Sequence, residues 1–164
     1  MNAPLPASIR FEVHGLVRAI AQHAASRDAF MPNLTTAQWD TLSSYLQPFS
    51  VQNKQVLIQQ GAQDRTVYML ESGSLTVHYE DSKGRLRLAV VGPGSAVGEG
   101  AFFTREPRTA TVQAASECKI WSLTAIRFTG LSNRQPPIAL EIAMALGSLV
   151  SRRLVNKPKR TAVT

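Results

Sequence analysis

Between Val56 and Leu123 no apolar pattern is sustained for long. The chain breaks instead into short runs rich in β-branched and aromatic residues, most of them closed by glycine: VLIQQG, TVYMLESG, SLTVHYEDSKG, RLRLAVVGPG, TATVQA and CKIWSL. Runs of this length predict six or more strands. Ser82-Lys83-Gly84 reads as a hairpin turn, and Gly92-Pro93-Gly94 as a tighter corner that cannot continue a ladder. Many short strands in succession leave edges to be paired or covered, and a rolled antiparallel sheet solves this by closing on itself.

Helical spacing flanks this region. From Phe11 to Ala24 the apolar positions Val13, Leu16, Val17, Ile20, Ala21 and Ala24 predict an amphipathic helix. A second is signalled by NLTTAQWDTLSSYL, with Thr35 or Thr36 as cap and Pro48 as stop. After Leu123 helical spacing returns in TAIRFTGL and in PPIALEIAMALGSLVSRRL, where Ile138, Ile142, Ala145, Leu149 and Leu154 form the expected apolar stripe. The expected fold is therefore α+β, mainly β: an antiparallel β-roll or jelly-roll barrel flanked by N-terminal helices and a C-terminal helix. With 164 residues there is room for one core. The organisation expected is an N-terminal segment over 1–29 with its amphipathic helix, one domain over 30–155 including the C-terminal helix, and a basic flexible tail over 156–164.

No run reaches the ~18 apolar residues that a membrane span needs. The opening MNAPLPAS lacks the basic-then-apolar order of a secretory signal, and Cys118 is alone, so a cytoplasmic chain without a disulfide framework or thiolate zinc site is expected. His14, His23 and His78 are scattered, and HExxH, CxxC, GxSxG and P-loop patterns are missing, so neither a catalytic centre, a metal site nor a cofactor is expected. The net charge is +7, and Arg152, Arg153, Lys157, Lys159 and Arg160 carry much of it, which reads as a solvated helix end and tail.

The segment with chemistry is GPGSAVGEGAFFTREPRTATV. Glycines at 92, 94, 98 and 100 allow close approach to the backbone, and Gly100-Ala101-Phe102-Phe103 can form one helical turn with its amides toward an anion. Glu99 enters that turn and Arg108 leaves it for the next strand. A guanidinium offers forked donors to phosphate oxygens, and a carboxylate accepts from a sugar hydroxyl. The alternative is an ion pair between Glu99 and Arg108 closing a surface loop, which would contribute only about 0–1 kcal/mol and leaves the glycines unexplained.

GxxVGExxxFxxxPRTATV, together with the strand-glycine-strand order of VLIQQGAQDRTVYMLESGSLTVHYEDSKGRLRLAVVGPGSAVGE, resembles the phosphate-binding cassette and preceding strands of the cyclic nucleotide-binding domain family over roughly residues 30 to 155. The resemblance implies that Glu99 takes the ribose 2′-hydroxyl and Arg108 the cyclic phosphate. Amides around Gly98, Gly100 and Ala101 complete the cradle, Thr109 adds a hydroxyl, and Val77, Leu88 and Val97 line the sugar and base. Ser95 and Val97 stand where many members carry an acidic and an aromatic residue. Ser148, Ser151, Arg152 and Asn156 are candidates to cap the base. The implied ligand is cyclic AMP or cyclic GMP.

The implied role is a sensor that moves its C-terminal helix to signal to a partner, either a second copy or an effector protein. No helix-turn-helix pattern follows Leu154, so DNA is not an expected partner. The competing expectation is a structural or interaction module with this fold that acts without ligand, through homodimer or partner contacts.

Overall fold

The computed structural model describes residues 11–155. The elements follow in the order α1 (Val13–Gln22), α2 (Thr36–Ser43), β1 (Gln47–Val51), β2 (Val56–Ile58), β3 (Val67–Ser72), β4 (Leu75–Glu80), β5 (Leu86–Val91), β6 (Ala96–Val97), α3 (Glu99–Thr104), β7 (Thr111–Ala114), β8 (Cys118–Leu123), α4 (Ala125–Arg134) and α5 (Pro136–Val155). The strands form two four-stranded sheets, β1-β8-β3-β6 and β2-β7-β4-β5, paired antiparallel throughout. This is the α+β two-sheet roll that the glycine-punctuated runs predict.

Two strands were not legible in those runs. β1 contains Pro48, read from the sequence only as a helix stop; it sits on an edge strand, where a missing N–H breaks few ladder bonds. β6 is two residues long, too short to show an alternation, and owes its strand geometry to pairing with Tyr68 and Met69.

Strand alternation divides the core in two. Val51, Ile58, Leu70, Leu75, Val77, Val91, Val97, Val112, Cys118 and Ile120 fill the roll. The opposite face of β3 and β8, with Val67, Met69, Trp121 and Leu123, packs against the helices through Leu16, Trp39, Leu42, Leu131, Ile142, Leu146 and Leu149. A central strand covered on both faces is apolar at most positions, and in CKIWSL only Lys119 and Ser122 are polar. Burial of the Cys118 thiol pushes its pKa up, as an inert core cysteine requires.

α2 starts from Thr35, whose Oγ1 accepts the Gln38 N–H at 3.1 Å while Gln38 Oε1 accepts the Thr35 N–H at 3.0 Å. α1, expected as part of a leading segment, contributes Val13, Leu16 and Ile20 to the same cluster as α5. His14 Nε2 lies 2.9 Å from Asp40 Oδ1 and ties α1 to α2. α5 runs for 20 residues, but its stripe differs from the expected one: Leu154 is half exposed, and Arg153 takes the inward place four residues after Leu149. The tail over 156–164 lies outside the described residues.

Candidate ligand-binding site

The turn from β6 into α3 and on to β7 is built around two left-handed residues. Gly98 caps α3 at φ 91°, and Arg105 ends it at φ 64°, folding the chain back so that Arg108 stands beside Gly98. A Cβ on Gly98 would fall 2.6 Å from the Thr66 carbonyl oxygen and 2.8 Å from Arg108 Nη1, so both the conformation and the space call for glycine there.

Arg108 is 2% exposed. Its Nη1 donates to the Gly98 carbonyl at 3.0 Å, and its Nη2 donates to the Thr66 carbonyl at 2.6 Å and to Asp64 Oδ2 at 2.8 Å. Nε is buried without a hydrogen-bond partner. Burial raises the Asp64 carboxyl, but hydrogen bonds from Arg108 and Thr66 outweigh it and hold the group below its ordinary range. Tyr68 is pushed up by burial and then by the Asp64 charge, so its hydroxyl stays protonated. The guanidinium is thus fixed by three acceptors, while its Nε remains a buried donor without one.

Glu99 is fully buried as the first residue of α3. Its Oε1 accepts from Arg153 Nη1 at 2.7 Å. The alternative of a surface pair between Glu99 and Arg108 does not describe these side chains: both are buried, one ion-paired to Arg153 and the other to Asp64. Arg153 itself is 3% exposed, which corrects its reading as part of a solvated helix end. The i+4 step from Leu149 was the available signal, outweighed by the run of basic residues that follows. Asp64 was missed as well; it sits in a short loop and reveals its role only through the chain folding back onto Arg108.

The remaining expected residues divide by face. Val77 and Val97 are buried in the roll interior, and Ala101 is buried in α3 beside a half-buried Gly100. Thr109 is exposed next to Arg108. Leu88 is not where the reading put it. It pairs with His78 on the outer face of the sheet and is 73% exposed, whereas Val77 pairs with Ala89, so Ala89 is the β5 residue facing inward. Side chains alternate along a strand, and an error of one residue moves the assignment to the opposite face.

Of the base-capping candidates, Ser148 and Ser151 are exposed on α5, and Arg152 donates from Nη2 to the Ala29 carbonyl at 2.6 Å. Asn156 lies outside the described residues. Among the described residues no cluster of metal-ligating side chains occurs, and no helix is long and apolar enough to cross a membrane.

The roll thus carries a glycine-capped turn with a buried carboxylate and a buried guanidinium. The family model for the cyclic nucleotide-binding domain matches residues 48–135, and the chain belongs to that family. It is similar to a cAMP-dependent protein kinase regulatory subunit of Mycosarcoma maydis, 31% identical over 111 residues covering 60% of this chain and 21% of that protein. It is also similar to the cAMP-activated global transcriptional regulator CRP of Salmonella typhimurium, 32% identical over 104 residues covering 62% of this chain and 48% of that one. These matches span a fifth to about half the length of those relatives. A cyclic nucleotide-binding domain from Methylobacillus flagellatus shares the fold, with TM-score 0.76 at 16% identity, covering 92% of this chain and 85% of the other. Arg153 lies beyond residues 48–135 that the family model matches.

Proposed function

We propose that this chain is a cyclic nucleotide sensor: Arg108 takes the cyclic phosphate, Glu99 takes the ribose 2′-hydroxyl, and α5 carries the signal to a partner. The observation that carries the reading is the buried Nε of Arg108, left without a partner on a guanidinium otherwise held rigidly by Gly98, Thr66 and Asp64. A buried donor without an acceptor costs about 1–3 kcal/mol, and an anionic oxygen bound there removes that cost. Amides at Gly98, Gly100 and Ala101 and the Thr109 hydroxyl stand close in sequence to complete the cradle, while Val77, Val97 and, in place of Leu88, Ala89 supply apolar lining. Cyclic AMP is the ligand favoured, since the curated relatives above are named for it; cyclic GMP is the competitor to test.

Titration calorimetry with each nucleotide tests the reading. Micromolar or tighter binding supports it; no heat and no melting shift at millimolar nucleotide refutes it. Arg108→Ala should weaken binding about 10- to 150-fold, the scale of a lost charge-assisted hydrogen bond.

A second reading, an interaction module acting through α5, is favoured by Leu140 and Met144, both more than 60% exposed one turn apart, with open space above Gly147. Ala139 and Ala145 of the same helix take no part in such a surface, because both are buried in the chain's own core. Light scattering with and without nucleotide separates the readings. A dimer indifferent to ligand favours the module, and a ligand-dependent change of mass favours the sensor.

A further inference from the structure

We propose that the C-terminal end of α5 is a docking surface for a bilayer rich in anionic lipid, its cations meeting headgroup phosphates while Leu154 and Val155 enter the apolar boundary. Nothing in this rests on the cyclic nucleotide reading. The sequence is one-sided here: after Glu141 no acidic residue occurs, while Arg152, Arg153, Lys157, Lys159 and Arg160 follow. The fold sorts these cations. Arg153 is buried, with Nη1 donating to Glu99 Oε1 at 2.7 Å and Nε to Asp28 Oδ1 at 2.6 Å. Burial would lower its basicity, but Glu99 and Asp28 outweigh it, so this cation stays charged inside the chain and is cancelled by its own carboxylates.

Arg152 differs. Its Nη2 donates to the Ala29 carbonyl at 2.6 Å and its Nε to the Ser148 carbonyl at 3.3 Å, neutral acceptors that position the guanidinium without cancelling its charge. The loop after α1 brings the exposed Arg27 to the same place, and Arg27, Ser151, Arg152 and Val155 line one open depression of about 190 Å³. Val155 follows Arg152 and Ser151 at the spacing of one helix face and is 77% exposed; Leu154 beside it is 50% exposed. Lys157, Lys159 and Arg160 stand two to five residues farther along, so even a fully extended chain keeps them within about 18 Å of Val155.

Exposed aliphatic side chains among cations decide the kind of partner. A nucleic acid offers phosphates but rewards aromatic side chains that stack on its bases, and residues 142–164 contain none. A bilayer interface takes both parts of this surface. Near an anionic leaflet each Lys or Arg strengthens binding about 5-fold, and apolar side chains add to it by entering the boundary below the headgroups. The depression offers one headgroup phosphate two guanidinium groups and the Ser151 hydroxyl.

Cosedimentation of the full chain with vesicles tests this, using phosphatidylcholine alone and phosphatidylcholine with phosphatidylglycerol at about 2:1. Wild type should bind the anionic vesicles at least about 100-fold more tightly than the neutral ones, and less tightly as salt rises. K157Q/K159Q/R160Q should weaken that binding about 100-fold and R27Q/R152Q about 25-fold. L154S/V155S should weaken it about 5-fold, whereas Ile126→Ser, at an 86% exposed residue of α4, should leave it as in wild type. Equal binding to the two kinds of vesicle overturns the proposal. So does binding that falls with the cations but ignores Leu154 and Val155, since any polyanion would give it. An oligonucleotide or poly-glutamate bound more tightly than anionic vesicles, at the same salt and charge concentration, also overturns it and assigns the surface to that polymer. Where a helix variant lacks a cooperative melt, K157Q/K159Q/R160Q decides, unchanged affinity for anionic vesicles being the refuting result.

Discussion

Substituting alanine at Gly98 and at Gly61 separates two reasons for a left-handed glycine. Both residues have φ near +90°, 91° and 86° respectively, so each alanine bears the same conformational cost of about 1–2 kcal/mol. At Gly61 nothing lies within 4 Å of an added Cβ, and the cost ends there. At Gly98 the Cβ would lie 2.6 Å from the Thr66 carbonyl oxygen and 2.8 Å from Arg108 Nη1. That oxygen is itself the Nη2 acceptor, so the guanidinium must move and lose at least one charge-assisted hydrogen bond, about 1.5–3 kcal/mol. The totals are about 1–2 kcal/mol for Gly61→Ala and about 2.5–5 kcal/mol for Gly98→Ala. In a chain of this size they lower Tm by roughly 2–8 °C and 5–20 °C. Thermal melts followed by circular dichroism, with the nucleotide titration repeated on each variant, measure both effects. Gly98→Ala should also weaken nucleotide binding, while Gly61→Ala should leave it nearly unchanged. Equal melting shifts in the two variants would refute the claim that Gly98 is reserved to seat Arg108.

Three further outcomes follow from particular contacts. Because the folded-state pKa of Asp64 is depressed, its contribution is present above the unfolded value near 4 and is lost as pH falls through the folded one. The melting deficit of Asp64→Asn should therefore be constant above about pH 5 and shrink progressively below about pH 4, and a deficit that does not diminish on acidification contradicts the ion pair with Arg108. Leu88→Ser should change neither affinity nor Tm beyond about 2 °C, since the side chain faces solvent, and a large loss of binding in calorimetry would return it to the site. Cys118, fully buried with its thiol pKa raised, should not react with a thiol-specific reagent at neutral pH until denaturant unfolds the chain; stoichiometric labelling of the native protein would show otherwise.

Local chemistry made most of the fold legible. Glycine-closed β-branched runs specify strands and turns, the spacing of Val13, Leu16 and Ile20 specifies a helix face, and the motif from Gly98 to Val112 carries its glycines and charges within fifteen residues. Sequence alone therefore determined the roll, its helical flanks, and the place of one carboxylate and one guanidinium at the two ends of a single turn. Tertiary structure decided what those charges touch. The register of β4 with β5 turned Leu88 outward and Ala89 inward, a distinction of one residue that the apolar run LRLAVV does not encode. The partner of Arg108 came from a loop 44 residues earlier, and that of Glu99 from a helix 54 residues later. A basic residue near a helix end is usually solvated, so only the packing of α5 over the cassette could reverse that expectation for Arg153. Burial made its charge depend on Glu99 and Asp28, groups brought to it by the fold and not by the chain around it.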